Sequence, residues 1–170
     1  MKELTLLLGL MLISLPSFSQ KKNAEFPEDY FGIYKGILTI NQASGEVQEI
    51  PMEFHLLATD TAQRFVYKLV YNGQPRNYML IEKDAEKGIY TVDENNGIIL
   101  PSRYIDRTLY SYFQVGESFL NSRLSFSKKK LEFEILFTNM EARERTGEDT
   151  DYEIYGYPIT TVQKAVLRRK

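Results

Sequence analysis

The chain has 170 residues, the length of one domain. Its formal charge is −2 with acids and bases interspersed, so it offers no basic field to displace counterions from a nucleic acid. It has no cysteine, which excludes disulfides, thiol catalysis and thiolate metal sites, and a single histidine, which disfavours zinc.

Residues 1–20 have the form of an export signal. Lys2 is the positive end, Leu4 to Leu15 the apolar stretch, Pro16 the helix breaker, and Ser17 and Ser19 the small residues of a cleavage site. The apolar run is shorter than the roughly 20 residues of a bilayer span. An uncleaved anchor is the competing reading, and no cysteine follows for lipid attachment. The expectation is an exported protein, periplasmic or extracellular. Residues 21–170 then form a single β-barrel domain with no stable membrane insertion once the signal is removed.

Phe26 and Pro27 are placed to pin the polar lead-in against one end of the fold, and Glu28-Asp29-Tyr30 suits one helical turn. Phe31–Ile40 follows as the first strand. Gly32 and Gly36 flank Tyr34 on one face, which predicts that another stretch of backbone comes close there. Asn41 to Gly45 is a turn. In Gln48–Ala58 the even positions Ile50, Met52, Phe54, Leu56 and Ala58 alternate with Glu49, Glu53 and His55, the period of a half-buried strand. Pro51 assigns part of it to an edge, a bulge or a gap.

In Gln63–Asn72 the odd face carries Phe65, Tyr67, Leu69 and Tyr71, and Asn72-Gly73 is a hairpin signal. Arg76–Lys83 is a strand whose two faces are not separable by pattern. Ile89–Asp93 is short, Glu94 to Gly97 turns the chain, and Pro101 is expected to end or interrupt the strand that starts at Ile98. Arg103–Asp106 has no regular pattern. Arg107–Val115, Ser118–Phe126 and Leu131–Phe137 are strands, the last with Leu131, Phe133, Ile135 and Phe137 inward. Asn139–Asp151 is a long polar loop, and Tyr152–Tyr157 and Ile159–Arg168, split at Pro158, close the chain. Turn signals every 8–12 residues or so are the spacing of an antiparallel sandwich or barrel, and closure is the simplest way to leave no exposed edge. The predicted fold is all-β, an antiparallel up-and-down barrel of about 8–10 strands.

Gly32-Ile33-Tyr34, after an export signal and a short turn of helix, resembles the opening of the calycins, the group of lipocalins and fatty-acid-binding proteins. Their motif is Gly-x-Trp, and here Tyr34 replaces the Trp. The resemblance implies a lipocalin-like barrel around a small, largely apolar ligand. It also implies a basic residue of the last strand packed at residue 34, for which Lys164, Arg168 and Arg169 are all candidates.

Twelve Tyr and ten Phe without Trp supply ring faces with polar tips. Tyr34, Tyr67, Tyr71, Tyr90 and Tyr112 fall on faces the pattern turns inward. They either line a hollow interior or pack it solid. Arg76, Arg103 and Arg107 either greet a carboxylate at one end of the barrel or are exposed rim charges. His55, beside Glu53 on a polar face, has no signalled triad partner. The acids Glu148, Asp149, Asp151 and Glu153 lack calcium-loop spacing and are read as a solvated loop.

The expected function is non-enzymatic binding of a small hydrophobic or amphipathic ligand. Tyr34, Phe54, Leu56, Phe65, Tyr67, Leu69, Phe133 and Ile135 line the interior in that reading, with no catalytic residue, metal or cofactor. The alternative is a solid barrel or sandwich that binds protein or glycan through surface tyrosines such as Tyr104, Tyr110 and Tyr155.

Overall fold

The structure is a computed structural model that describes residues 25–170. The expected export signal lies outside them. A 3₁₀ turn, Glu28–Tyr30, leads into twelve strands. They are β1 (Gly32–Gln42), β2 (Val47–Ala58), β3 (Arg64–Tyr71), β4 (Gln74–Asp84), β5 (Ile89–Asp93), β6 (Ile99–Ile105), β7 (Thr108–Val115), β8 (Ser118–Phe126), β9 (Lys130–Asn139), β10 (Glu144–Thr146), β11 (Ile154–Gly156) and β12 (Ile159–Arg169). Ten of them close a single antiparallel barrel in the order β1-β12-β9-β8-β7-β6-β5-β4-β3-β2, an up-and-down topology. Strands β10 and β11 pair only with each other, as a ribbon between β9 and β12.

Closure depends on β1 and β12, which run side by side from Tyr34↔Arg169 to Gln42↔Thr161. The two glycines of β1 permit this. A Cβ on Gly36 would stand 2.6 Å from the main-chain oxygen of Val166, so only a glycine admits β12 at that distance.

The barrel has two unlike ends. The chain enters and leaves at one, where aromatic rings plug the interior. Phe26 stacks on Tyr104 with ring centroids 3.9 Å apart, meets Tyr90 edge-on at 5.1 Å and tilts against Phe126 at 5.3 Å. Tyr30, Tyr34, Phe54, Leu131 and Leu167 complete this buried layer. Buried hydroxyls there need partners. Tyr34 donates to the carbonyl of Tyr30 at 2.6 Å, and Tyr90 to that of Phe26 at 3.1 Å. At the other end the hairpins β1–β2, β3–β4, β5–β6 and β7–β8 and the β10–β11 ribbon surround an opening.

Three local expectations are corrected. Pro101 lies within β6, opposite Thr91, and neither ends nor interrupts it. β7 pairs with β6 only at Arg103, Tyr104 and Ile105, so Pro101 stands on a stretch that β7 does not pair, where a missing donor is tolerated. Tyr112 faces solvent, because Ser111 and Phe113 take the inward parity of β7. The polar segment after Asn139 holds β10, and β11 joins that ribbon rather than the barrel.

Candidate functional site

Above the aromatic layer the barrel is hollow. A cavity of about 810 Å³ opens at the hairpin end. Its walls are mostly apolar: Leu38, Leu69, Leu100, Leu120, Phe133 and Ile135 among others. Volume and lining match a small-molecule site, which is commonly about 300–1,000 Å³ and largely hydrophobic with a few placed polar groups.

Polar groups stand on two walls of the lining, Tyr67, Tyr71, Arg76 and Tyr78 on β3–β4 and Ser111, Gln114, Ser118 and Ser122 on β7–β8. Asn72 and Gly73 both have positive φ, 47° and 79°, the two-residue turn whose twist suits a hairpin. That turn fixes the register Leu69↔Arg76 and Tyr67↔Tyr78. The inward odd residues of β3 therefore face the even residues of β4, and Arg76 and Tyr78 enter the cavity lining with Tyr67 and Tyr71. The Arg76 guanidinium lies over the Tyr71 ring, 5.5 Å from its centroid. The neighbouring Tyr78 hydroxyl, as acceptor, raises the Arg76 pKa further and keeps it charged. Burial pushes the Tyr67 and Tyr71 hydroxyls far above the ordinary phenol value, so both stay protonated. Glu94 reaches the rim near Arg76. On the β7–β8 wall, Ser111 bonds Ser102 through their Oγ atoms at 2.6 Å, and Ser122 lies opposite Ser111.

Of the eight residues expected to line the interior, Tyr67, Leu69, Phe133 and Ile135 line this cavity. Tyr34, Phe54, Leu56 and Phe65 are buried in the plugged end instead. The interior is thus both hollow and filled, at opposite ends. Arg76 stands at the mouth, whereas Arg103 and Arg107 belong to the closed end, because β6 runs away from the opening. Tyr104 is not an exposed contact residue, since its ring is stacked under Phe26. His55 lies outside the cavity, 2.8 Å from Glu53. Of the three basic candidates, Arg169 is the one beside Tyr34. Burial pushes the Tyr34 hydroxyl up in pKa, and Arg169 opposes that shift. Lys164 pairs instead with Glu134 at 2.9 Å.

The pattern alone did not place Tyr78, Glu94, Ser122 or Gln163 in the site. The parity of β4 was available, however. An Asn-Gly turn after an odd inward face on β3 makes the even residues of β4 inward.

A second, outer hollow of about 440 Å³ lies on β1, β12 and β9. Glu134 sits there between Lys164 at 2.9 Å and Arg123 at 3.5 Å, so its charges are matched at the surface.

Two solved structures share the fold. One is a protein with unknown function from the DUF3598 family of Nostoc punctiforme, at a TM-score of 0.63 and 9% identity. The match covers 84% of this chain and 48% of that one, so this chain spans about half of its length. The other is an S-type phycobiliprotein lyase from Guillardia theta, at a TM-score of 0.55 and 8% identity, covering 84% of this chain and 89% of that one. No protein-family model matches the sequence, and neither does any curated protein.

Proposed function

We propose that the protein is an exported, non-enzymatic binder of a small hydrophobic or amphipathic molecule, held in the open half of the barrel. The observation that carries this reading is the cavity of about 810 Å³, open at one end and apolar over most of its wall, with a few polar groups on the β3–β4 and β7–β8 sides. The likeness to the S-type phycobiliprotein lyase adds support at the level of the fold alone. Export is supported by Lys2, the Leu4 to Leu15 stretch and the serines after Pro16. A binding rather than catalytic role is supported by the position of His55, on the outer face and engaged by Glu53.

The test is fluorescence titration of the purified protein with anilinonaphthalene sulfonate. One saturable site is expected. Ser122→Trp, which extends a bulky ring into the cavity from β8, should abolish it, with circular dichroism confirming the barrel. Tyr112→Ala, on the outer face, should leave it unchanged. The reverse pattern would move binding to the outer surface and overturn the proposal.

A further inference from the structure

The β10–β11 ribbon stands off the barrel. Every residue from 141 to 159 except Gly147 is exposed. Among the described residues, none from 142 to 158 makes a hydrogen bond or ion pair outside the ribbon. Only its feet are tied down. Met140 N–H donates to the carbonyl of Glu117 at 2.9 Å, and the carbonyl of Thr160 accepts from Ala43 N–H at 2.8 Å. Within itself the ribbon is well held. Its ladder runs from Glu144↔Gly156 to Thr146↔Ile154, Arg145 pairs with Glu153 at 3.0 Å, and Arg143 lies over the Tyr155 ring at 4.7 Å. A unit bonded internally and joined to the rest only at its ends moves as one body about those ends.

The two faces of the ribbon differ. Residues paired across strands share a face, so Arg145 and Tyr155 stand on one, where the charged contacts are made. The other carries Thr146 and Ile154, with Glu144 and Gly156 nearer the feet. Ile154 is 49% exposed, and Tyr152 beside it 77%. The rim of the mouth has uncovered apolar surface too: Ile98 and Val115 line the cavity yet are 47% and 62% exposed. Bringing two such surfaces together removes both from water.

The ring of strands sets where a closing ribbon would land. It springs from β9 and β12, and five strands round from these are β4 and β5. Ten strands about 4.8 Å apart and tilted by about 40° make a mouth roughly 20 Å across. From Met140 to Gly147 an extended chain covers about 23 Å, enough to cross it. The tip carries Glu148, Asp149 and Asp151, and the only cation in the cavity lining, Arg76, stands on β4 at the far side. No residue between Phe137 and Gln163 lines the cavity in this structure, so the ribbon is open here.

We propose that the β10–β11 ribbon is a lid. It folds about its feet across the mouth, lays Ile154 and Tyr152 on Ile98 and Val115, and brings its acidic tip to Arg76. The lid rests on the binding reading above only for its use, since its closure can be observed without any ligand.

The chain has no cysteine, so a pair can be introduced cleanly. Asp149→Cys places one at the tip, and Gln74→Cys one on β4 across the mouth. The control joins Asp149→Cys to Lys128→Cys, at the plugged end. A disulfide needs Cα atoms within about 7 Å, so it reports closure directly. In a glutathione redox buffer the 149/74 pair should form its intramolecular bridge at least about 10-fold faster than the 149/128 pair. Arg76→Gln and, separately, 1 M salt should each slow it about 3-fold, the scale of an exposed ion pair. Ile154→Ser should slow it by a similar factor. The bridged protein should take up anilinonaphthalene sulfonate at least about 10-fold more slowly, and reductant should restore the rate. Equal bridging of the two pairs, or none at 149/74, overturns the lid and leaves the dye titration to judge the cavity. Bridging insensitive to both Arg76→Gln and Ile154→Ser also overturns it, because a ribbon that visits the far rim at random would behave so. Selective, Arg76-dependent bridging in a protein that takes up no dye keeps the lid and removes the binding reading.

Discussion

The side chain of Arg169 lies in the space that residue 32 leaves empty: a Cβ on Gly32 would stand 2.7 Å from its Nε. From there the guanidinium donates to the main-chain oxygens of Asp29, at 3.3 Å, and Phe31. The last strand therefore clasps the 3₁₀ turn and the start of the first strand, and Gly-x-Tyr is the sequence trace of that clasp.

The two glycines of β1 should respond differently to alanine. At Gly32 the obstacle is a side chain that can swing aside, at the expense of two exposed hydrogen bonds, so Gly32→Ala should destabilise by about 1 kcal/mol. At Gly36 the obstacle is the backbone of Val166, which cannot move without parting β1 from β12. Gly36→Ala should cost about 3 kcal/mol or more. Urea denaturation of the two variants measures both. A larger loss at Gly32 than at Gly36 would show that the clasp, not strand proximity, governs closure.

Phe26 contacts four aromatic residues of the plug and is only 7% exposed. Phe26→Ala should reduce stability by about 3–5 kcal/mol, the usual range for a buried phenylalanine. The open cavity is at the opposite end. Dye affinity of the folded fraction at low temperature should therefore change less than about 2-fold, well under the tenfold that 1.4 kcal/mol represents. A matching loss of affinity would mean that plug and cavity are energetically coupled.

Glu53 accepts hydrogen bonds from Lys35 at 2.5 Å and faces His55 Nε2 at 2.8 Å. The hydrogen bond from Lys35 is the main cause, and the one to His55 the second, that lowers its pKa below the ordinary carboxylate value. A depressed folded-state pKa contributes stability above the unfolded-state value, roughly pH 4.3, and that contribution is lost as pH falls through the lower folded-state value. Solvent reaches the cluster, so the contribution should be no more than about 0.5–1 kcal/mol. Unfolding free energies at about pH 6 and pH 3 should differ less in Glu53→Gln than in the wild type by this amount. An identical acid response in the two proteins would assign the loss to other carboxylates.

The order of strands, the inward faces of β2, β3 and β9, and the close approach at Gly32 and Gly36 were written in local pattern. Alternation and turn chemistry act over a few residues, and in an up-and-down barrel each strand meets the next in sequence. The Asn72-Gly73 turn even encodes the inward parity of Arg76 and Tyr78, although an apolar run on both faces of β4 hid it. The sequence did not reveal where the interior is full and where it is empty. Tyr34 and Tyr67 have the same local signature, an aromatic on an inward face. One is buried in the plug and the other lines the cavity, because Phe26, Tyr90, Tyr104 and Phe126 arrive from distant segments to fill only one end. The choice of Arg169 over Lys164 and Arg168 is of the same kind, set by the β1–β12 register across most of the chain. Local periodicity determined the strands and their faces. Only the closure of the barrel, which juxtaposes side chains far apart in sequence, decided which faces pack solidly and which enclose the cavity.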